Sequence, residues 1–549
     1  MSARADLIIT GRVATLAGDS GLGWVEAIAI ESGRVIAAGH ASEVEALAGP
    51  RTRTWRLPNE LLVLPGITDA HLHLITMTVA EQHIDVTGKN LDQTLAAVAQ
   101  RHETMNARGD ADGWLLGHGW SMDLLGRWPT YADLDRAAPG RAIALVAHDH
   151  HSRWVSGRVL DLAGVANAPQ TGVGALVQRD DQGYPTGILL ESSSIYLDPV
   201  IPSPSREQLE SSLERVCAEL LSLGLTGVHD PGELTGDTEL DRGPLLYRAL
   251  AESGRLPMRV HSSVRAPQLQ RAFELGFRSG ESIGRYRSGW LKLFADGSLG
   301  SRNAALLAPY DDAAPESSPG NATGMVMTDA EELTELLTRA GEAGISGQVH
   351  AIGDAAVRMA LDVYESLPPT PPLMRRIEHA QLVDPADVPR FGRLGVAASV
   401  QPVHLRSDAE PARVAWGDRA ENTFPLAGLV SGGALIPLGT DAPVEPADPW
   451  PGIAVAVVRR EPFKSEDRQT AAHQRISLER AIRAACVDPA SVAAQPDVGR
   501  LTPGCRADLI VVPANSLREP FDAAAFAATR PVATLLDGEV VFRSTTFEA

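Results

Sequence analysis

Residues 64–73 read Leu-Pro-Gly-Ile-Thr-Asp-Ala-His-Leu-His and close an apolar run that begins near residue 62. A short apolar run of this kind is typical of a buried strand. At the two-residue period of a strand, His71 and His73 point to the same side, about 6 to 7 Å apart along the chain. Two imidazoles placed in this way can share one metal ion. Alone, however, a His-x-His pair more often belongs to an ordinary surface strand.

Outward from this stretch, apolar strand-like segments alternate with helix-like ones, the pattern of βα units around a parallel sheet. Eight segments qualify as strands: 62–74, 226–230, 258–264, 290–296, 346–352, 374–381, 395–401 and 434–440. Segments 206–223 and 331–343 have the spacing of amphipathic helices, and each is followed by a glycine. The pattern predicts an α/β fold, a (β/α)8 TIM barrel.

Both ends of the chain contain short β segments separated by glycine-containing turns, with a hairpin signal at Asp537-Gly538. We predict that residues 1–63 and 491–549 form one small β-sandwich and that residues 64–490 form the barrel. Residues 75–205 are too long for one βα connection and contain many Trp, Gly and Pro residues. We expect them to be an insertion after the first barrel strand that caps the active site.

Composition argues against several classes of protein. The net charge is −20 and there is no basic run, so nucleic acid is not an expected partner. Cys217, Cys486 and Cys505 are far apart and odd in number, which argues against a disulfide framework and favours a reducing cytoplasm. Without a signal peptide or an apolar run of about 20 residues, we expect a soluble cytoplasmic protein and no membrane partner. The expected partners are a small-molecule substrate and, as one alternative, a second copy in a homodimer.

Four more polar residues lie near the ends of predicted strands. Lys292, one of only three lysines, lies within the apolar segment Leu-Lys-Leu-Phe, where an isolated ammonium would be costly. It is therefore either paired with Asp296 or another acid, or it is a neutral amine that takes up carbon dioxide and becomes a metal-bridging carboxylate. His350, His379 and Asp441 end three later strands, and each alone is ordinarily a core or turn residue. Together they lie where barrel enzymes assemble their sites, and this ligand mix suits zinc.

Six stretches carry a further inference: Leu64-Pro-Gly-Ile-Thr-Asp-Ala-His-Leu-His, Leu291-Lys-Leu-Phe-Ala-Asp-Gly-Ser-Leu-Gly-Ser-Arg, Val349-His-Ala-Ile-Gly-Asp-Ala-Ala-Val, Arg376-Ile-Glu-His-Ala-Gln, Leu438-Gly-Thr-Asp-Ala-Pro-Val and Gly499-Arg-Leu-Thr-Pro-Gly-Cys-Arg-Ala-Asp-Leu. Through them the chain resembles the amidohydrolase superfamily, and within it the YtcJ-like branch of the amidohydrolase-3 family, over essentially its whole length.

The resemblance implies a barrel with a terminal β-sandwich and a metal centre. It implies one metal held by His71, His73 and Asp441. A carboxylated Lys292 is implied as the bridge to a second metal on His350 and His379. Two Zn²⁺ ions are expected, with one as the alternative, because some members bind a single metal.

The functional hypothesis is hydrolysis of a C–N bond by a zinc-activated water, with an amide, N-substituted formamide, carbamate or cyclic amide as the substrate. Asp441 is the expected catalytic residue, which takes the proton of the water and returns it to the leaving amine. A deaminase or an ester or lactone hydrolase on the same site is the enzymatic alternative. A non-catalytic barrel scaffold is another alternative, which the six ligand positions argue against.

Candidate substrate-binding residues come from the barrel loops and the insertion: Trp120, Trp128, His151, Ser152, Glu191, Asp296, Arg302 and Gln401. For either tryptophan, a place in the hydrophobic core is the more frequent role. The sequence therefore does not identify the substrate.

Overall fold

A computed structural model of the chain describes residues 4–110, 112–147, 152–165, 175–191, 196–197, 199–233, 242–313, 322–368, 372–464 and 468–548. The chain divides into two compact units, one formed by Met1–Met77 with Leu213–Ala549 and the other by Thr78–Ser212. In the part of the chain that the structure describes, no helix is both long enough and apolar enough to cross a membrane.

An eight-stranded sheet joins the two ends of the chain in the first unit. In the order of the sheet its strands are Glu539–Arg543, Ala533–Leu536, Leu509–Pro513, Leu61–Pro65, Leu7–Ala14, Trp24–Glu31 and Arg34–Gly39, with Arg53–Arg56 beside Leu7–Ala14. The N-terminal strand Leu61–Pro65 pairs antiparallel with the C-terminal strand Leu509–Pro513. Their apolar side chains enclose a core that includes Trp55 and Phe547. The predicted union of the two termini is confirmed.

Seven parallel strands form the curled sheet of the barrel in the same unit. They are β1 (Ile67–Asp69), β2 (Leu225–Asp230), β3 (Arg259–Arg265), β4 (Tyr286–Phe294), β5 (Gly347–Ala351), β6 (Arg376–His379) and β7 (Ala397–Ser399), each paired with the next. Ser282–Ile283 pairs antiparallel with β4. The α/β barrel prediction is confirmed.

Residues 434–440 close the barrel, although they do not form the regular eighth strand that we predicted. On one side the Val400 amide donates to the Pro437 carbonyl at 3.1 Å, and on the other the Ala70 amide donates to the Leu438 carbonyl at 2.9 Å. A single bridge, Val400 with Leu438, is the only ladder pair of this segment among the described residues. Because Pro437 has no N–H, a full ladder cannot form here.

The first predicted strand, 62–74, is two strands in two different sheets. Leu61–Pro65 belongs to the terminal sheet, and β1 belongs to the barrel. At the crossing between them, a Cβ on Gly66 would lie 2.3 Å from the side chain of Thr226, so only glycine fits. His71 and His73 follow β1 and precede the helix Leu74–Ala80, so they lie in a loop and not on a strand.

Helices surround the barrel and the terminal sheet. The described α-helices that lie wholly or partly outside the second unit are Ala41–Glu45, Leu74–Ala80, Arg206–Ser222, Pro244–Glu252, Leu269–Glu274, Ala330–Glu342, Asp354–Ser366, Val388–Leu394, Leu405–Trp416, Leu426–Ser431, Pro449–Val458, Leu478–Val492 and Ala523–Ala527. The helices predicted at 206–223 and 331–343 are confirmed to within one residue at each end.

The second unit has its own sheet and its own core. Its six described strands run in the order Ala175–Arg179, Pro185–Glu191, Ser152–Val155, Ile143–Ala147, Leu115–Trp120 and Ile84–Asp85. Its described helices are Leu91–Ala107, Met122–Leu125, Tyr131–Ala137 and Gly157–Leu162. Trp120 and Trp154 are buried in its core, and the Trp120 indole donates to the Leu145 carbonyl at 2.9 Å.

Candidate metal centre

The six predicted ligands lie at or just beyond the carboxyl ends of barrel strands. Lys292 lies two residues before the end of β4, His350 one residue before the end of β5, and His379 is the last residue of β6. His71 and His73 follow β1, and Asp441 follows the closing segment 434–440. The carboxyl ends of neighbouring parallel strands meet at one edge of a barrel, so these side chains share one end of it.

Two of these residues have a left-handed backbone, which is uncommon for residues other than glycine. The φ angle is +70° at His379 and +61° at Asp441. Simple alternation along β6 would send His379 to the face opposite Glu378. Instead the His379 ring centre lies 4.9 Å from that of His71 and 4.5 Å from that of His350. Backbone strain of this kind is concentrated at functional sites.

Asp69 ties the loop of His71 to the loop of Asp441. Its buried carboxylate accepts the His71 amide at 2.9 Å, the Thr440 amide at 3.1 Å and the Thr440 hydroxyl at 2.6 Å. Burial raises the pKa of Asp69 to about 7. The two loops approach so closely that a Cβ on Gly439 would lie 2.6 Å from the His71 amide nitrogen.

The first half of the centre consists of His71, His73 and Asp441, whose donor atoms converge. Asp441 Oδ1 lies 3.3 Å from His71 Nε2 and 3.2 Å from His73 Nε2. One nitrogen of His71, one nitrogen of His379 and a carboxylate oxygen of Asp441 also lie within 4.8 Å of one another.

The opposite nitrogens fix which atoms of this first half carry protons. His73 Nδ1 donates to the Gly232 carbonyl at 2.6 Å, and His71 Nδ1 donates to the Glu378 carboxylate. Burial lowers the pKa of His71 to about 4, so its ring is neutral at pH 7. With Nδ1 as the donor in each ring, Nε2 is the nitrogen that faces Asp441 Oδ1.

A cation fits this arrangement. Asp441 Oδ1 is buried and has no hydrogen-bond partner among the described residues. Two imidazole lone pairs and a carboxylate oxygen at this spacing repel one another unless a positive charge lies between them. Imidazole and carboxylate ligands are those that Zn²⁺ takes at about 2.0–2.2 Å.

The second half consists of Lys292, His350 and His379. Lys292 is buried, and its Nζ lies 4.5 Å from the centre of the Phe294 ring. Within the described ranges it forms no ion pair, neither with Asp296 nor with another acid. Burial lowers the pKa of Lys292 to about 8. A neutral amine, the form that reacts with carbon dioxide, is therefore accessible near neutral pH.

The two histidines of the second half have neutral hydrogen-bond partners. His379 Nδ1 donates to Gln401 Oε1 at 2.8 Å, and His350 Nε2 lies 3.4 Å from the Gly297 carbonyl oxygen. Burial lowers the pKa of His350 to about 3 and the pKa of His379 well below its usual value. Both rings are therefore neutral and suited to bind a metal.

Three residues of the site were not singled out by the sequence. Glu378 accepts a hydrogen bond from His71 and pairs with Arg376, and all three side chains are buried. His404 Nε2 lies 3.4 Å from Asp441 Oδ2. The sequence signal for Arg376 and Glu378 was their spacing of two residues in a buried strand, which places both side chains on one face.

The candidate substrate residues are dispersed. Asp296 accepts the backbone amides of Ala305, Ile352 and Gly353, which pins the loops after β4 and β5. Gln401 supports His379, and Arg302 pairs with Asp312 at 2.8 Å.

The remaining candidates belong to the second unit. Trp120 and Ser152 are buried there, and Trp128 is exposed. His151 and the side chain of Glu191 lie outside the described residues.

Comparison with known proteins places this geometry in a family. Residues 59–542 match the model of the amidohydrolase family. The chain is 30% identical to Protein LONG AFTER FAR-RED 3 of Arabidopsis thaliana, covering 94% of this chain and 88% of the relative. It is 30% identical to the putative amidohydrolase YtcJ of Bacillus subtilis, covering 79% and 80%. It is 25% identical to the N-substituted formamide deformylase of Arthrobacter pascens, covering 94% of each.

A solved structure agrees with these relatives. An uncharacterized metal-dependent hydrolase from Pyrococcus furiosus superposes with a TM-score of 0.74 at 29% identity, covering 92% of this chain and 98% of the other. The fold, the matched residues and the cluster of histidines and aspartate lead to one conclusion: the chain belongs to the amidohydrolase family and is a hydrolase of that type.

Proposed function

We propose that the protein is a zinc-dependent hydrolase that cleaves a C–N bond in an amide, N-substituted formamide, carbamate or cyclic amide. The observation that carries the proposal is the buried, unpartnered Asp441 Oδ1, which two imidazole Nε2 atoms face at 3.2 and 3.3 Å. The similarity to an N-substituted formamide deformylase supports the C–N bond and the formamide in particular.

His71, His73 and Asp441 are the residues proposed to hold one metal, and His350, His379 and a carboxylated Lys292 those proposed to hold a second. When bound, zinc supplies Lewis acidity and a water acidic enough to act as a nucleophile at neutral pH. Neutral imidazoles and ionised carboxylates are the required ligand states. The lowered pKa values of His71, His350 and Asp441 support this assignment.

Asp441 is proposed to accept the proton of the attacking water. Its Oδ1 faces the Nε2 atoms of His71 and His73, while its Oδ2 lies 3.4 Å from His404 Nε2. Although burial opposes it, the pKa of Asp441 is held well below the usual value, with His404 hydrogen-bonded to the carboxylate, so Asp441 is ionised and able to accept a proton. Asp441 then returns this proton to the leaving amine, so that one carboxylate serves first as base and then as acid.

The test combines metal analysis with a substrate panel. We expect about two equivalents of zinc per chain in the purified protein, or one if Lys292 is not carboxylated. The panel contains N-substituted formamides, simple amides, carbamates, cyclic amides, aminated rings and lactones, and chelation should abolish hydrolysis of the preferred substrate.

Three results would contradict the proposal. Preferred turnover of the lactones indicates an ester or lactone hydrolase, and release of ammonia from the aminated rings indicates a deaminase. A folded protein that binds no zinc and hydrolyses none of the panel indicates a scaffold.

A further inference from the structure

We propose that the Arg376–Glu378 ion pair is a positioning element that makes the half of the centre formed by His71, His73 and Asp441 the tighter of the two metal positions. The inference rests on the proposed function, since it concerns the metals that this function requires. It assigns a role to two charged residues in the barrel interior that are not among the six proposed ligands.

Hydrogen bonds to both oxygens fix the Glu378 carboxylate in one orientation. Arg376 Nε donates to its Oε1, and Arg376 Nη2 donates to its Oε2 at 2.9 Å. His71 Nδ1 donates to the same Oε2. All three side chains are buried. Because both of its oxygens accept hydrogen bonds from the Arg376 guanidinium, the carboxylate keeps its charge.

Arg376 is in turn fixed from several barrel strands. Its Nη2 donates to the Ala70 carbonyl at 2.6 Å, just beyond β1, and to the Ser399 hydroxyl at 2.7 Å, at the end of β7. Its Nη1 lies 2.9 Å from His229 Nδ1 on β2. The position of the ion pair therefore does not depend on a bound metal. Through Glu378 the pair fixes the His71 ring on its Nδ1 side, opposite the nitrogen that would bind the metal.

His71 is the imidazole of the centre whose hydrogen-bond partner is an ionised carboxylate, whereas the carboxylate nearest to His350, that of Asp296, lies 3.6 Å from its Nε2 and is beyond hydrogen-bond distance. His73 donates to a backbone carbonyl, and His379 donates to a side-chain amide. A carboxylate behind an imidazole fixes the tautomer and makes the opposite nitrogen a stronger donor to a metal. A charge-assisted hydrogen bond is also roughly twice as strong as a neutral one. His71 Nε2 is therefore the best donor of the four imidazoles, and the first half fills before the second.

The experiment measures two binding constants in the full-length protein after metal removal. Zn²⁺ affinity is obtained by competition with a chelator, and Co²⁺ is titrated separately because its visible absorption reports the ligand environment. Glu378→Gln preserves the shape and an oxygen acceptor but removes the charge. We expect the tighter constant to weaken about 10- to 100-fold, the weaker constant to stay unchanged, and the absorption of the first Co²⁺ equivalent to shift.

The matched control is Asp508→Asn, which removes the charge from another buried arginine–carboxylate pair. Arg259 Nε donates to Asp508 Oδ2 at 2.6 Å, and neither residue contacts a proposed ligand. This variant should melt at a lower temperature than the wild type and keep both binding constants. If it weakens the tighter constant as much as Glu378→Gln does, the effect is one of general stability and the inference is wrong.

A measurement on the wild type keeps the inference testable if Glu378→Gln does not fold. A crystal structure with one equivalent of Zn²⁺ should show anomalous density at His71, His73 and Asp441. Density at His350 and His379 instead overturns the inference, as does a folded Glu378→Gln protein with unchanged constants. A wild-type protein that binds no metal overturns the proposed function itself, which is a different result.

Discussion

In the half of the centre formed by His71, His73 and Asp441, donor atoms face one another at 3.2–3.3 Å, whereas in the other half the Lys292 amine lies over the Phe294 ring. In the first half, His71 donates a hydrogen bond to the buried Arg376–Glu378 ion pair. In the second half, the described partner of His379 is the neutral amide of Gln401. In the proposed centre, one metal position is thus prepared by the protein's own hydrogen bonds. The other proposed position is complete only if Lys292 is carboxylated.

This difference separates the two questions that the centre raises. Under the proposal, binding of a first metal depends on the first half, where all three proposed ligands are unmodified side chains. Binding of a second metal depends on the second half and on Lys292. Variants in the two halves should therefore have different effects on metal content and on turnover.

The largest effect is expected for Asp441→Asn in the first half. An asparagine cannot take up the proton, so turnover should fall by about 10²–10⁴-fold. His71 and His73 remain, so most of the metal should stay bound. Steady-state kinetics and metal analysis on the same sample measure both quantities.

The control for this variant is Asp362→Asn, which makes the same chemical change at an exposed carboxylate that pairs with Arg390. It should keep wild-type turnover. An Asp441→Asn protein with wild-type turnover would contradict the role of Asp441 as the base.

A loss of one metal is expected for Lys292→Met, which removes the amine, and for Lys292→Arg, which cannot be carboxylated. Metal analysis should find the first equivalent kept and the second absent in both variants. Unchanged metal content in either variant would show that the second half needs no carboxylated lysine.

The same lysine predicts a pH dependence in the wild type. Burial lowers the pKa of Lys292 to about 8. The ammonium therefore dominates below pH 8, and the amine that reacts with carbon dioxide dominates above it. At a fixed concentration of dissolved carbon dioxide, binding of the second equivalent should increase between pH 7 and pH 9. If binding of the second equivalent does not change between pH 7 and pH 9, the second metal does not depend on the Lys292 amine.

The smallest effect is expected for Gln401→Leu, which removes the neutral acceptor behind His379. The second metal should bind about tenfold more weakly, the low end of the range for residues behind a ligand. Chelator competition measures this constant. Gln381→Leu is the matched control, because this buried glutamine donates to Asp408 and not to a proposed ligand. An equal loss in both variants would show that the effect is not specific to His379.

The barrel could be predicted from the sequence because its strands are continuous apolar runs with polar residues at one end. The predicted strand 62–74 failed at Gly66, where the chain leaves one sheet and enters another. Nothing in the local pattern shows that Thr226, distant in the sequence, leaves no room for a side chain there. The prediction of a regular strand at 434–440 was wrong for a reason visible in the sequence, because Pro437 has no N–H to donate to a ladder.

The proposed ligands could be predicted because each lies at a strand end, but their supporting residues could not. Glu378 lies beside His379 in the chain yet supports His71 across the barrel. Gln401, a candidate substrate-binding residue, accepts a hydrogen bond from His379, a contact that the sequence did not predict. Alternation alone would place His379 outside the site, and only its positive φ brings it in. Such contacts depend on distances between strands, which a single sequence does not contain.

The pairing of Leu61–Pro65 with Leu509–Pro513 affects the order in which the chain can fold during synthesis. The strand that leads into β1, and so into His71 and His73, pairs with Leu7–Ala14 on one side but lacks its second neighbour until residues 509–513 have left the ribosome. Contacts that are this distant in sequence form late. The sheet next to His71 and His73 is therefore completed only near the end of synthesis, and we expect the loop that holds these two histidines to become fixed late.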